Sequence, residues 1–339
     1  MADKLVFFHF FERDPTYIDN LCHFLEFGII EDVDYVFIIS GNHSIELPSR
    51  SNFRILFSEN KNNDYGGYCD AIKSINNLSQ YSHFFFINSS VRGPFLAKTS
   101  TQTKWIDYYL DLLTDDVGIV GSTINILSHG SVIHNIYQEK FSGNAPYSHV
   151  QSTAFCLNFK ILHHLISNNF FNEESTLSKN EVVAKYELGL SQEIIKFGKN
   201  IKCLLPEYNA LDYRLPHSDI NPTSVEGDPS FVNAYFGRTM HPFETIFIKT
   251  NRGLFSGKYL DRLAYSMHSH MPKSAPSLRT KELSEYLARL DGIPRSCEHT
   301  NYQDIALTPN QIISAATQLI EQSPDFIPVM LRVIDNAEY

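Results

Sequence analysis

The sequence predicts an α/β fold: a mostly parallel sheet sandwiched by helices, with a C-terminal helical extension. Three observations predict it. Short apolar runs alternate with segments of helical periodicity through the first two thirds of the chain. The apolar runs are nearly continuous, as strands covered on both faces must be. After Gly253 the strand-like runs stop and only helical patterns remain.

Leu5–Phe11 is an apolar run bounded by charge and reads as the first strand. Thr16–Phe27 carries Tyr17, Leu21, Phe24 and Leu25 at helical spacing, and Gly28 stops it. Tyr35–Ile39 and Phe53–Phe57 read as buried strands, the first closed by Ser40, Gly41 and Asn42. Asp64 to Leu78 opens at a glycine pair and reads as a helix. His83–Asn88 is a very apolar strand that ends abruptly in polar residues. Trp105–Leu113 reads as a helix, Val117–Gly121 as a short strand, and Thr153–Leu157 as a strand leading into a Lys160–Asn168 helix. Val182–Gly198 is helical in part, and Ile201–Leu205 is a strand. Asp212–Asn233 is rich in Pro, Ser, Asp and Gly and reads as a long loop. His134 to Tyr147 also reads as loop, a candidate flap over an acceptor. Phe243–Lys249 closes the sheet region as an apolar strand. Beyond it, helices are expected at Tyr259–Met267, Ser277–Leu290, Thr308–Gln322 and Pro324–Ile334. The expected division is a main domain, 1–253, and a helical accessory segment, 254–339.

Composition narrows the function. Of 339 residues, 43% are hydrophobic and 19% charged, which excludes a disordered chain. The net charge is -10 with no basic stripe, so no nucleic-acid partner is expected. Five scattered cysteines, an odd number without metal-ligand spacing, predict buried free thiols in a reducing compartment. The start lacks the features of a secretory signal, and no apolar stretch reaches membrane-spanning length. The expected location is cytoplasmic, with peripheral association at the inner membrane.

Five constellations carry candidate chemistry. Asn63, Asp64, Gly66 and Gly67 stand at a strand-to-helix junction, where glycines admit a ligand and helix N–H groups favour phosphate. Asp64 there suits a ribose or base edge; the plain alternative is an ordinary turn with a capping aspartate. Asn88, Ser89 and Arg92 follow an apolar strand, at the sheet end where ligands bind, and Arg92 suits a phosphate. The alternative is a turn with a solvated arginine. Glu187 and Glu193 lie on a helical stretch and read equally as exposed helix residues. His149 and Gln151 are placed to face a sugar or acceptor, Gln151 hydrogen-bonding hydroxyls; a buried, backbone-satisfied histidine is the alternative. Lys249, Asn251 and Arg252 crowd the end of the Phe243–Lys249 strand, where alternation sets Glu244 with Ile246 and Ile248 on the opposite side. They suit a diphosphate, or form a solvated basic end.

The order of these motifs resembles GT-A glycosyltransferases, in particular bacterial enzymes of rhamnan, O-antigen and capsule synthesis. The stretches that carry it are Asn20-Leu21, Phe24-Leu25 and Gly28, then Asn63-Asp64-Tyr65-Gly66-Gly67, Ile87 to Pro94, Val120 to Asn125, His149 to Ser152 and His241 to Arg252. The resemblance spans roughly Lys4 to Arg252. It implies a GT-A-like, Rossmann-type sheet and inverting transfer from a UDP- or dTDP-sugar to a glycan or lipid-linked glycan. It implies Glu187 as catalytic base, with a pKa raised by partial burial. Asn63, Asp64, Gly66 and Gly67 would bind the nucleotide, and Asn88, Ser89 and Arg92 the diphosphate or donor sugar. Lys249 and Arg252 would stabilise the leaving diphosphate.

One departure matters. The family usually carries Asp-x-Asp at the end of the apolar strand, holding a divalent metal; this chain has Asn88, Ser89 and Ser90. Asp32 and Asp34 precede a different strand. Neutral side chains lack the hard anionic oxygens Mn²⁺ or Mg²⁺ prefers. Metal-independent transfer with no cofactor is therefore expected, a divalent Mn or Mg ion being left open. The rivals are a non-catalytic carbohydrate- or nucleotide-binding module on the same fold and an assembly protein using the C-terminal helices.

Overall fold

The structure is a computed structural model describing residues 2–97, 103–141, 145–172, 175–225, 227–270 and 278–294, with positions 313, 314 and 317. The helices expected at Thr308–Gln322 and Pro324–Ile334, those three positions apart, and Cys297 lie outside the described residues.

The strands are β1 (Lys4–Phe11), β2 (Asp34–Ser40), β3 (Phe53–Ser58), β4 (His83–Asn88), β5 (Val91–Arg92), β6 (Val117–Gly121), β7 (Ile124–Ile126), β8 (Ser148–Val150), β9 (Ala154–Asn158), β10 (Asn200–Cys203) and β11 (Ile248–Lys249). The helices are α1 (Pro15–Phe27), α2 (Asn63–Ser74), α3 (Asp107–Leu110), α4 (Val132–Lys140), α5 (Phe159–Ser167), α6 (Lys179–Val182), α7 (Gly189–Lys196), α8 (Pro242–Thr245), α9 (Gly257–His268) and α10 (Lys281–Asp291).

Seven strands form one sheet in the order β10-β6-β9-β4-β1-β2-β3. Its pairings are parallel except at β9, which runs antiparallel to both β4 and β6. The fold is thus a mixed α/β architecture around a mostly parallel sheet. β1 is buried along its middle on both faces. Phe8 packs on Phe24 of α1, ring centroids 4.6 Å apart. Phe7 stacks on Phe86 of β4 at 5.0 Å, and Phe86 meets Tyr68 of α2. Successive residues point to opposite faces, so α1 and α2 cover the two sides. Burying one such phenylalanine stabilises by roughly 2–3 kcal/mol.

α1 begins where Asp14 caps the Thr16 N–H and Pro15 sets the first turn; it ends at Gly28. The described part of the 254–339 segment shares the sheet's core: Leu260 and Met267 of α9, with Leu283, Tyr286 and Leu290 of α10, join one buried cluster with it. Tyr286 Oη lies 3.0 Å from His23 Nδ1 of α1. Among the described residues no helix is long and apolar enough to cross a membrane. Cys22, Cys69, Cys156 and Cys203 are buried free thiols.

Three local expectations are corrected. The stretch expected as a loop from His134 contains α4, nucleated by Ser131 capping the His134 N–H; it is largely polar, so its helical period is faint. Phe243–Lys249 is not one strand. His241 and Glu244 form a reciprocal cap that starts α8, and Ile246 then turns at φ +63°. That backbone is strained for a β-branched residue. Only Ile248 and Lys249 remain extended, pairing with β5, so the expected alternation from Glu244 does not exist. The Trp105–Leu113 helix shortens to α3.

Candidate functional site

β1, β2 and β3 step outward in one direction, and β4 is then laid on the other side of β1. Where strand order reverses in this way, a crevice opens above the strands' C-terminal ends. The crevice here is a cleft of about 290 Å³. His9 and Phe11 reach it from β1, and Asn88 with Ser89 from β4. Asn63, Asp64 and Tyr65 enter from the start of α2, Lys179 from α6, Glu187 from the turn that follows, and Lys249 from β11.

The start of α2 is shaped by Asn62 and Asn63, both left-handed at φ 56° and 54°. Asparagine is among the few residues other than glycine that tolerate this backbone. The Asn62 side chain accepts from the Leu177 N–H at 2.8 Å and donates to the Ser175 carbonyl at 2.9 Å. It thereby ties the α2 start to the segment entering α6, which carries Lys179. Ser178 and Glu181 cap that helix reciprocally.

Two carboxylates face the cleft in opposite environments. Asp64 Oδ2 accepts from Asn88 Nδ2 at 3.0 Å. The same Asn88 nitrogen donates to the Ser152 carbonyl at 2.8 Å, and Asn88 Oδ1 accepts from the Ser90 N–H at 3.1 Å. Burial, and next the charge of Glu187, push the Asp64 carboxyl up to about 6; Asn88 and Lys249 oppose this. Glu187 sits in a π-helical turn, Val183–Leu188, a distortion frequent at functional sites. Its Oε2 accepts from the Ser152 N–H at 3.3 Å and from the Ser152 hydroxyl, and its Oε1 lies 3.5 Å from His149 Nε2. Burial pushes this carboxyl up, but His149, Lys249 and Ser152 outweigh it and hold it at about 2. The expectation of a Glu187 pKa raised by burial is therefore corrected: hydrogen-bond donors and a cation overcome the desolvation. Glu187 also lies well inside a helical stretch that starts at Lys179 rather than at a helix start of its own.

The cleft is cationic beyond these groups. Lys249, half-buried, and Lys179, exposed, have no carboxylate partner among the described residues, nor has Arg13. Burial and then Arg252 lower the Lys249 pKa, opposed by Glu187, Asp228 and Asp64. Burial, Arg252 and Arg13 lower that of Lys179. Lys179 thus feels Arg13, and both lysines feel Arg252. His9 is pushed down to about 3 by burial and is neutral, its Nε2 2.9 Å from Ser40 Oγ.

Seven sequence-derived candidates converge on the cleft: Asn63, Asp64, Asn88, Ser89, Glu187, Lys249 and Asn251. The Ser89 hydroxyl is already engaged with the Phe11 N–H and carbonyl, at 3.1 and 3.2 Å. Gly66, Gly67, Arg92, His149, Gln151, Glu193 and Arg252 do not line it. A Cβ on Gly66 would overlap the Lys61 carbonyl, and one on Gly67 would lie 2.5 Å from the His9 ring. The glycine pair thus admits protein neighbours, not a ligand. Arg92 is buried behind the site, its Nε on Asn20 Oδ1 at 2.9 Å and its Nη1 on Asp261 at 2.8 Å. It locks α9 to α1 and is not available to phosphate. Arg252 pairs with buried Asp228 and lies over the Phe231 ring. Gln151 is fully buried, donating to Asp228 at 2.9 Å and accepting from Thr123 and Ser230 at 2.6 and 2.7 Å. Its burial keeps it out of reach of an acceptor hydroxyl. His149 supports Glu187 from beneath.

Sequence reasoning missed Arg13, Lys179, His9 and Ser152. Arg13 was findable: it follows the C-terminal end of β1, and the strand-end rule applied to His83–Asn88 applies there equally. Lys179 carries no local signal, since its capping box reads as an ordinary helix start. Among the described residues no three His, Cys, Asp or Glu side chains are grouped to hold a metal ion.

No family model matches the chain, and no curated protein matches it. Several solved structures align with it at low similarity. A mannosyltransferase from Pyrobaculum calidifontis, solved with GDP-Man and Mn²⁺, aligns at TM-score 0.36 and 9% identity over 99% of this chain and 86% of that one. The bifunctional glycosyltransferase WbbM aligns at 0.32 and 14%, over 61% of this chain and 39% of its own. A 4-diphosphocytidyl-2C-methyl-D-erythritol synthase from Anaerococcus prevotii aligns at 0.32 and 8%, over 60% and 88%. Likeness at this level assigns no activity.

Proposed function

We propose that the chain is a glycosyltransferase that binds a nucleotide-sugar in this cleft and transfers the sugar, with inversion, to a bacterial surface glycan. The single observation that supports this most is the convergence of Arg13, Lys179 and Lys249, cations that form no salt bridge with a carboxylate among the described residues, on a crevice at the strand-order reversal. A pyrophosphate diester carries two negative charges; charge-assisted hydrogen bonds to such cations are its natural recognition. The motif resemblance to GT-A enzymes supplies the sugar and the acceptor class, and a UDP- or dTDP-sugar is the proposed donor. The acceptor is a glycan or lipid-linked glycan met at the inner membrane from the cytoplasm.

The residues present do not fit a divalent cation. Asn88 spends its amide on Asp64, Ser152 and Ser90. Both Glu187 oxygens face donors, and the Lys249 ammonium stands beside the two carboxylates. Too few free anionic oxygens remain. Transfer is proposed to proceed with Lys249 and Lys179 neutralising the leaving diphosphate as the anomeric C–O bond breaks.

A thermal-shift screen with UDP-, dTDP-, GDP- and CMP-sugars, with and without EDTA, tests this. A bound donor raises Tm by mass action, and the rise is expected to survive EDTA. No shift with any donor contradicts the proposal. A non-catalytic binding module is the second reading, favoured by the engagement of both Glu187 oxygens; it predicts a shift without turnover.

A further inference from the structure

The geometry points to Asp64, rather than Glu187, as the group that takes the proton from the attacking hydroxyl. This rests on the glycosyl-transfer reading above and assigns a catalytic residue within it. Only these two carboxylates line the cleft among the described residues. A general base needs an oxygen open to the substrate. Glu187 is the more engaged of the two: Oε2 takes two donors from Ser152, and Oε1 lies 3.5 Å from His149 Nε2. Asp64 is held by Asn88 at Oδ2 alone, and among the described residues no other residue hydrogen-bonds Oδ1. Asn88 is itself fixed from both sides, by the Ser90 N–H and the Ser152 carbonyl, so the carboxylate is oriented.

The chain Asp64–Asn88–Ser152–Glu187 links the two acids and divides their work. Glu187 is the fixed charge; beside it Asp64 is harder to ionise and so a stronger acceptor of a proton. The displaced pKa values agree with that division, about 6 for Asp64 and about 2 for Glu187. The other groups facing Asp64 are Lys249 from β11, neutral His9 in the same cleft, and Tyr65 and Tyr68 on its own helix. In the step, the acceptor oxygen bonds to the anomeric carbon as the carbon–oxygen bond to the diphosphate breaks. The hydroxyl proton passes to Asp64 Oδ1, and the electron pair leaves with the diphosphate.

The test uses the full chain, UDP- and dTDP-sugars, and release of the free nucleoside diphosphate to water or simple sugar acceptors. Asp64→Asn is expected to bind UDP or dTDP within about threefold of wild type while turnover falls roughly 100-fold or more, the scale of general-base catalysis. Asp64→Glu should recover part of it. Glu187→Gln should keep measurable turnover and shift the acid limb of the pH profile downward, because the charge that disfavours Asp64 ionisation is gone. Retained turnover in Asp64→Asn, or abolition by Glu187→Gln alone, overturns the assignment. Loss of nucleotide affinity in Asp64→Asn makes Asp64 a nucleoside-binding group and overturns it too. A wild type that binds nucleotide yet releases none from any donor overturns it in favour of a binding module. A wild type that binds no nucleotide sinks the transferase reading itself.

Discussion

Asp64 and Glu187 differ in sign as contributors to stability. The folded pKa of Asp64, about 6, lies above its ordinary value of 3.8. The folded state therefore holds the proton more tightly, and Asp64 destabilises the fold increasingly as pH rises from about 4 to about 6. Asp64→Asn should gain about 1–2 kcal/mol at pH 7.5, with the gain vanishing below pH ~4. Glu187, depressed from 4.5 to about 2, stabilises above its unfolded pKa and loses that contribution as pH falls toward 2. Glu187→Gln should cost about 2–3 kcal/mol at pH 7. Denaturant melts of both variants across pH check the two signs. A destabilising acid in a cleft fits the trade-off between stability and activity. Both acids were visible in the sequence as polar residues in suggestive places. Their division of roles was not, because it depends on Ser152 and His149, which meet Glu187 only through the fold.

At the scale of elements, buried packing explains the residues that sequence reasoning assigned to ligand. Gly66→Ala must displace the α2 start from the Lys61 carbonyl, and such overpacking should cost well over 1 kcal/mol. Arg92→Ala should cost about 3–5 kcal/mol by stranding Asp261 and Asn20; chemical denaturation measures it, and nucleotide affinity should hold in whatever fraction stays folded. Removal of residues 254–339 should expose the α1 face under Tyr286 and Leu283 and yield an aggregating or destabilised chain, scored by solubility and Tm. The central strands β1, β2 and β4 were legible because burial on both faces makes them continuously apolar, whereas β3, expected to be buried, is an edge strand with Ile55 and Phe57 exposed. The α4 and α8 helices were not legible: one is mostly polar, and the other depends on the His241–Glu244 cap and the turn at Ile246. The glycine pair looked like a phosphate loop because a close backbone approach reads the same whether its neighbour is ligand or protein.

Across the whole molecule, the sheet order brings the ends of β1 and β4 together, and the alternation of elements announced that much. The cations that complete the cleft come from three remote stretches, at Arg13, Lys179 and Lys249, so no local spacing could reveal that they meet. The account stands on their jointly gripping a pyrophosphate. Calorimetric titration of UDP and dTDP in the presence of EDTA measures this directly. The account predicts binding by one of the two that weakens with salt and falls at least about tenfold in Lys249→Ala, the loss of one charge-assisted hydrogen bond. Binding that requires Mn²⁺, or that is indifferent to Lys249→Ala, would contradict it.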